Sequence, residues 1–279
     1  MPFCKNRIGL NSDLEYNIVV NHLNEGALFA MTVKESTQYL RSARLERERV
    51  ESFSDYPFCL PAVKNLGSLC FHPSVTFIVG ENGSGKSTLL EAIAVACGFN
   101  PEGGTKNFNF STMESHSPLH RYIRLVKGAR MPKDGFFMRA ESFYNLATNI
   151  ERLDEDAGWP RVIDSYGGVS LHAQSHGESF FAAFMNRFGG NGLYIMDEPE
   201  AALSPSRQMA MISRIHDLVG QNSQFIIATH SPIITAYPDA AIYQLTDRFE
   251  KVAYEDTDNY NVTKAFLNNT KKMLDILME

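Results

Sequence analysis

The feature that most constrains this chain is one continuous stretch, residues 75–98. Val75-Thr76-Phe77-Ile78-Val79 is a β-branched and aromatic run that reads as a buried strand, and it leads straight into Gly80-Glu81-Asn82-Gly83-Ser84-Gly85-Lys86-Ser87-Thr88. Behind that loop Leu89, Leu90, Ile93, Ala94 and Cys97 recur at helical spacing until Gly98 stops the helix. Strand, glycine loop and helix in this order bring backbone N–H groups together at a helix N-terminus, where an anion is stabilised by unsatisfied donors and by the helix dipole. The loop matches G-x-x-x-x-G-K-[ST] in full. In that pattern the glycines let the backbone close around a triphosphate, Lys86 supplies a cation for the β- and γ-phosphates, and the Ser87 hydroxyl is placed to ligate Mg²⁺. The whole run Gly80, Glu81, Asn82, Gly83, Ser84, Gly85, Lys86, Ser87 and Thr88 is therefore the candidate nucleotide cradle.

Two further segments deliver chemistry to the ends of apolar strands. Leu193-Tyr194-Ile195-Met196 runs into Asp197-Glu198, which puts two carboxylates at the C-terminal mouth of a buried strand, the edge at which open α/β sheets bind ligands. Asp197 is read as the Mg²⁺ carboxylate and Glu198 as the group that polarises the attacking water. Phe225-Ile226-Ile227-Ala228 similarly delivers Thr229-His230-Ser231, so His230 is expected to contact the γ-phosphate or the water.

Between these segments, Pro205 to Leu218 reads as a helix, and so does Glu141 to Asp154, with Phe143, Leu146, Ile150 and Leu153 on one face. Another helix is expected from Gly177 to Phe188. Strands are expected at Arg121 to Val126 and Gly135 to Arg139 around a turn-rich connection, forming a small antiparallel lobe, and Tyr39 to Val50 suits a half-exposed edge strand. The alternation of strands and helices implies an α/β fold with a mainly parallel sheet covered on both faces. Residues 1–38 carry no assignable pattern and form an N-terminal extension. Residues 39–279 make the catalytic domain, with the β-lobe insert at about 99–140 and a helical segment at about 141–190.

Composition narrows the setting. The 279 residues carry 26 Lys and Arg against 32 Asp and Glu, a net charge of −6, so no global basic field points to nucleic acid or to an anionic membrane. The longest apolar runs are strand-length, far short of the ~18 residues of a membrane span, and the N-terminus lacks the apolar block of a signal peptide. Cys4, Cys59, Cys70 and Cys97 form no C-x-x-C pair and read as buried free thiols of a cytoplasmic protein. His116/His120 and His172/His176 have the i,i+4 spacing of a metal pair only if helical, and their surroundings do not favour helix.

The glycine loop, the apolar-apolar-Asp-Glu-Pro segment and Thr-His-Ser, in this order, resemble the P-loop core of ABC-type ATPases, particularly the soluble SMC-like branch. The stretches around Gly135–Phe143 and Tyr39–Pro61 further resemble a compact group of bacterial AAA family ATPases without coiled coil or transporter domain. The resemblance covers Tyr39 to the C-terminus. It implies an antiparallel β-lobe, a helical signature subdomain, ATP and Mg²⁺ as ligands, and an ATP-dependent homodimer in which two heads sandwich the nucleotides. Gln174-Ser175-His176-Gly177-Glu178-Ser179 stands where the signature belongs, so the resemblance gives Ser175 and the Gly177 N–H a contact with the partner's γ-phosphate and places Glu178 in the same nucleotide-binding segment. His176 departs from the usual double glycine. Ala202-Leu203-Ser204-Pro205 stands at the D-loop. The Mg²⁺-sensing glutamine has no counterpart, and Glu141 is the expected substitute metal ligand. Tyr56 lies roughly where an adenine-stacking aromatic is found, and a core or turn tyrosine is the other reading, which carries more weight.

The leading expectation is thus an ATP-hydrolysing dimer switch, with DNA in repair or defence as one candidate target. The alternatives are a nucleotide-gated module that regulates a protein partner and the ATPase subunit of a membrane transporter. The DNA expectation draws on residues 105–139, where Lys106, Arg121, Arg124, Lys127, Arg130, Lys133 and Arg139 face only Glu114 and Asp134 in the tally of charge; the other reading, which carries more weight, is a solvated hairpin whose arginines help sense nucleotide or meet an acidic partner.

Overall fold

The computed structural model describes residues 38–106, 117–156 and 161–279. The N-terminal extension up to residue 37, His116 and Glu114 lie outside the described residues. Two sheets organise the described residues.

The smaller sheet is antiparallel and has three strands, β1 (Leu40–Leu45), β2 (Ser68–Cys70) and β4 (Ile123–Lys127), in the order β2-β1-β4. The larger sheet has six strands: β3 (Val75–Gly80), β5 (Asp134–Arg139), β6 (Gly192–Asp197), β7 (Gln224–Ala228), β8 (Ala240–Leu245) and β9 (Phe249–Val252). Their order is β5-β6-β7-β3-β8-β9, parallel throughout except for β9, which runs antiparallel to β8 at one edge. The helices are α1 (Pro61–Lys64), α2 (Lys86–Ala96), α3 (Phe143–Asp156), α4 (His176–Arg187), α5 (Pro205–Gly220), α6 (Pro232–Thr235), α7 (Asp258–Asn268) and α8 (Thr270–Leu277).

The main sheet separates two apolar clusters, as the period of two in a strand requires. Val75, Phe77 and Val79 of β3 join Phe136 and Met138 of β5 and the buried faces of α3, α4 and α5 on one side. Ile78, Phe137, Ile195 and Ile226 face the other side, against Leu89, Leu90 and Ile93 of α2 and the inner face of the small sheet. Both faces are covered, so these strands read as unbroken apolar runs.

Several expectations are corrected here. Gly135–Arg139 does not pair with β4 in an antiparallel lobe, because it is the edge strand β5 of the parallel sheet, in register with β6. Phe136, Phe137 and Met138 are all fully buried, the pattern of a strand covered on both faces and not of a lobe hairpin. β4 pairs with β1 instead. The lobe is therefore not an insert at about 99–140: it is assembled from strands on both sides of the glycine loop. β1 is the centre of that lobe and not an edge, because the three-residue β2 covers its other side. On α3, Phe143, Leu146 and Ile150 are buried, whereas Leu153 is 46% exposed in the last turn. Of the cysteines, Cys97 is buried, with its thiol pushed up to about 11 by desolvation, but Cys59 and Cys70 are exposed. Among the described residues no helix is long and apolar enough to cross a membrane.

Candidate functional site

Register builds the site. Ile78 of β3 pairs with Ala228 of β7, Ala228 pairs with Asp197 of β6, and Asp197 pairs with Arg139 of β5. Four neighbouring parallel strands thus end in one row, and the residues that follow each end converge on the same sheet edge. That brings together the glycine loop, Asp197-Glu198 and Thr229-His230-Ser231.

The loop itself is held by its own polar groups. Gly83 and Gly85 have φ of 77° and 91°, left-handed values natural to glycine, and Gly85 is the N-cap of α2. A Cβ on Gly85 would stand 2.9 Å from the Leu60 side chain. Lys86 is 3% exposed and its ammonium donates to the carbonyls of Gly80 and Glu81 at 2.8 and 2.7 Å. Burial lowers its pKa, while Glu198, Asp197, Glu81 and Glu200 hold it up. A cleft of about 370 Å³ is lined by Tyr56, Leu60, Asn82, Gly83, Gly85, Lys86, Ser87, Thr88 and Glu198. Tyr56 is 65% exposed at the rim of this cleft, so it is no core residue.

A second cavity, of about 470 Å³, brings Ser87, Glu141, His176, Asp197 and Glu198 around one space. Asp197 is 5% exposed, and its Oδ1 has no hydrogen-bond partner among the described residues. Burial pushes its carboxyl up to about 6, against the pull of Arg139 and the Ser87 hydroxyl. An orphaned carboxylate oxygen beside a serine hydroxyl is a donor set of hard oxygens, which fits Mg²⁺ shared with phosphates. Glu198 follows at φ 48° and ψ 53°, a left-handed conformation for a residue with a side chain, and its N–H is anchored on Ala228 O at 2.9 Å. His230 Nε2 stands 3.5 Å from Glu198 Oε1, with no hydrogen bond of its own among the described residues.

Other expected residues are placed differently. Glu141 lines the second cavity, but its side chain is 87% exposed and its ion-pair partner is Arg139, at 3.6 Å. Ser175 is the N-cap of α4, and its N–H and hydroxyl both donate to Glu178 at 3.1 and 2.7 Å, a capping box. Glu178 also lies 3.6 Å from Arg207. Gly177 packs on the turn after Glu198, where an added Cβ would stand 2.5 Å from Ala202 O. His172 Nε2 lies 3.1 Å from Thr148 Oγ1 and 3.8 Å from Glu151, with its ring against Tyr144, so that this histidine has partners other than His176.

Arg139 is the residue that sequence reasoning misplaced. Counted there among the cations of a basic lobe, it is instead half-buried at the end of β5, its side chain 15% exposed. Its Nη1 is 2.6 Å from Glu91 Oε2 on α2 and its Nε is 3.4 Å from Asp197 Oδ2. The signal was present, because Arg139 ends an apolar run just as Asp197 ends its own.

Comparison with known proteins agrees with this geometry. Residues 62–150 match the family model of an AAA domain, and residues 178–235 match that of an AAA ATPase domain. An uncharacterized ABC transporter ATP-binding protein of Haemophilus influenzae is 27% identical over 186 residues, covering 62% of this chain and 70% of that protein. Structural maintenance of chromosomes protein 6 of Takifugu rubripes is 30% identical over 98 residues, covering 35% of this chain and only 7% of the relative. The SMC head domain from Thermotoga maritima superposes with a TM-score of 0.40 at 17% identity, covering 77% of this chain and 98% of that one. The family models and relatives match the same segments that carry the three motifs brought to one sheet edge, so the chain is similar to P-loop ATPases of the ABC and SMC-like types.

Proposed function

We propose that this chain binds ATP with Mg²⁺ in the β3–α2 loop and hydrolyses it, and that ATP drives two copies into a head-to-head dimer whose separation follows hydrolysis. The observation that carries the reading is the shared row of strand ends, which sets Lys86, Ser87, Asp197 and Glu198 around two cavities that share Ser87 and Glu198, with His230 Nε2 3.5 Å from Glu198 Oε1. In this reading the loop N–H groups and Lys86 hold the phosphates and neutralise developing charge. Ser87 and Asp197 are the residues that hold Mg²⁺, which when bound would offset negative charge on the phosphates. Glu198 accepts a hydrogen bond from the attacking water and polarises it, and His230, 3.5 Å from Glu198, steadies the water or the γ-phosphate. Glu141 is kept as a weaker candidate for the metal's outer surroundings, since its exposure argues against a direct ligand. Ser175, Gly177 and Glu178 act on the partner's nucleotide, with α4 presenting its N-terminus.

A target on DNA is the second reading. It is supported by Arg44 and Arg124, which sit opposite each other in the β1–β4 register on the exposed face of the lobe, with Arg121, Lys127, Arg130 and Lys133 also exposed. Glu46, 4.0 Å from Arg124, offsets part of this charge, and the other cations of the face are left for a polyanion. Arg139 no longer contributes to that surface. A cytoplasmic location and the possibility of a protein partner stay within the same proposal.

The test is the mass of Glu198→Gln protein in solution with and without ATP and Mg²⁺, and then with duplex DNA. A dimer that forms only with ATP supports the switch, and DNA retained only by that dimer supports the target. A monomer under all conditions overturns the dimer reading.

A further inference from the structure

The turn that follows Glu198 and the loop that carries His230 are tied together by hydrogen bonds that no motif announces. Glu200, in the 3-10 turn Pro199–Ala202, uses both carboxylate oxygens on this loop: Oε2 accepts from the Thr229 hydroxyl at 2.8 Å and Oε1 from the His230 N–H at 2.5 Å. The Thr229 hydroxyl in turn accepts from the Ser231 N–H at 3.0 Å. Ser231 Oγ donates to Gln208 Oε1 at 2.6 Å, and Gln208 Nε2 donates to the carbonyl of Leu203 at 2.9 Å, closing the circuit on the same turn. Thr229, Ser231 and Gln208 are buried, at 0%, 6% and 8% exposure. Buried polar circuits of this kind rigidify what they connect, because each member left unsatisfied carries a desolvation penalty. The imidazole is the polar group that this circuit leaves out, and it faces Glu198.

We infer that Glu200 is a positioning residue for His230: its carboxylate fixes the backbone that aims the imidazole at Glu198 and makes the histidine loop move with the turn at 199–204. The inference rests on the reading of His230 given above. A carboxylate suits the task because both partners are donors, and it accepts from the two at once. Glutamine at this position keeps one acceptor but turns an NH₂ toward a donor.

The experiment follows ATP turnover together with the ring signals of ¹⁵N-labelled histidines, the His230 signal being assigned by its loss in His230→Gln. Glu200→Gln and Thr229→Val are both expected to lower kcat by on the order of 10- to 100-fold with KM for ATP within twofold, the range that a small misplacement of a reacting group produces. The His230 ring signal is expected to shift or broaden in both while the other histidine signals stay in place. Thr229→Ser keeps the hydroxyl and is expected to keep wild-type turnover and the wild-type signal. Thr229→Val, nearly isosteric, covers the case in which Glu200→Gln fails to fold. A His230 signal and kcat unchanged in a folded Glu200→Gln or Thr229→Val protein overturn the inference. If His230→Gln itself turns over like wild type, the role given to His230 fails, while the ring signal still decides whether Glu200 positions it.

Discussion

Replacing Arg139 by Met keeps much of the side chain's length and apolar stem and removes its charge from between two carboxylates. Arg139, Glu91 and Asp197 have side chains only 15%, 13% and 6% exposed, so solvent cannot stand in for the lost cation. Removing one partner of a buried pair typically destabilises by about 3–5 kcal/mol, and the residual exposure here favours the lower end, about 3 kcal/mol. For a chain of this size that corresponds to a melting temperature lower by about 6–12 °C. The effect carries a pH signature. The Asp197 carboxyl, at about 6, already lies above its ordinary value because of burial, with Arg139 the largest influence pulling it back down. A carboxyl raised in the folded state stabilises the fold while protonated, and that stability is lost as pH rises from about 4 through about 6. Without Arg139 its pKa moves higher, so Arg139→Met is most damaging above pH 7, where Asp197 must ionise unpaired. At pH 5 the carboxyl is mostly protonated in both proteins, and the difference shrinks to what Glu91 and the exposed Glu141 contribute. Equilibrium urea unfolding of both proteins at pH 5 and pH 7.5, without nucleotide or metal, measures this. A loss under about 1 kcal/mol, or one equal at the two pH values, refutes the placement of Arg139 as the counter-charge of Asp197.

Other outcomes follow from the signature segment. Gly177→Ala forces a methyl toward the Ala202 carbonyl, where 2.5 Å is available, and is expected to destabilise by about 1–3 kcal/mol in thermal or urea unfolding and to displace the turn after Glu198. Ser175→Arg is expected to leave ATP binding by the monomer intact and to block the ATP-dependent dimer. Mixed with Lys86→Ala protein, it should recover part of the lost turnover, because one composite site keeps both an intact loop and an intact signature, and absence of recovery in the turnover assay argues for a site complete within one chain.

Much of this site was legible because its motifs are local. The glycine loop, Asp197-Glu198 and Thr229-His230-Ser231 each sit where an apolar run ends, and a parallel sheet necessarily gathers such ends on one edge. What stayed hidden depends on register between distant strands. Gly135–Arg139 looks like half of a hairpin because a turn-rich stretch precedes it, and only its pairing with β6 sets Arg139 beside Asp197. The lobe was mislocated for a similar reason: β2 is three residues long, too short for a periodicity to show, yet it makes β1 a central strand. Glu200 and Gln208 carry no motif, and their tie to the histidine loop arises from the turn geometry after Glu198.

The most direct test of the central claim is ATP binding by calorimetry and single-turnover hydrolysis, measured with Mg²⁺ on wild type, Lys86→Ala and Glu198→Gln. Wild type is expected to bind and hydrolyse ATP, Lys86→Ala to lose measurable binding, and Glu198→Gln to bind like wild type while hydrolysing at least ~10²-fold more slowly, as removal of a general base requires. Unchanged affinity in Lys86→Ala, or wild-type hydrolysis by Glu198→Gln, contradicts the account.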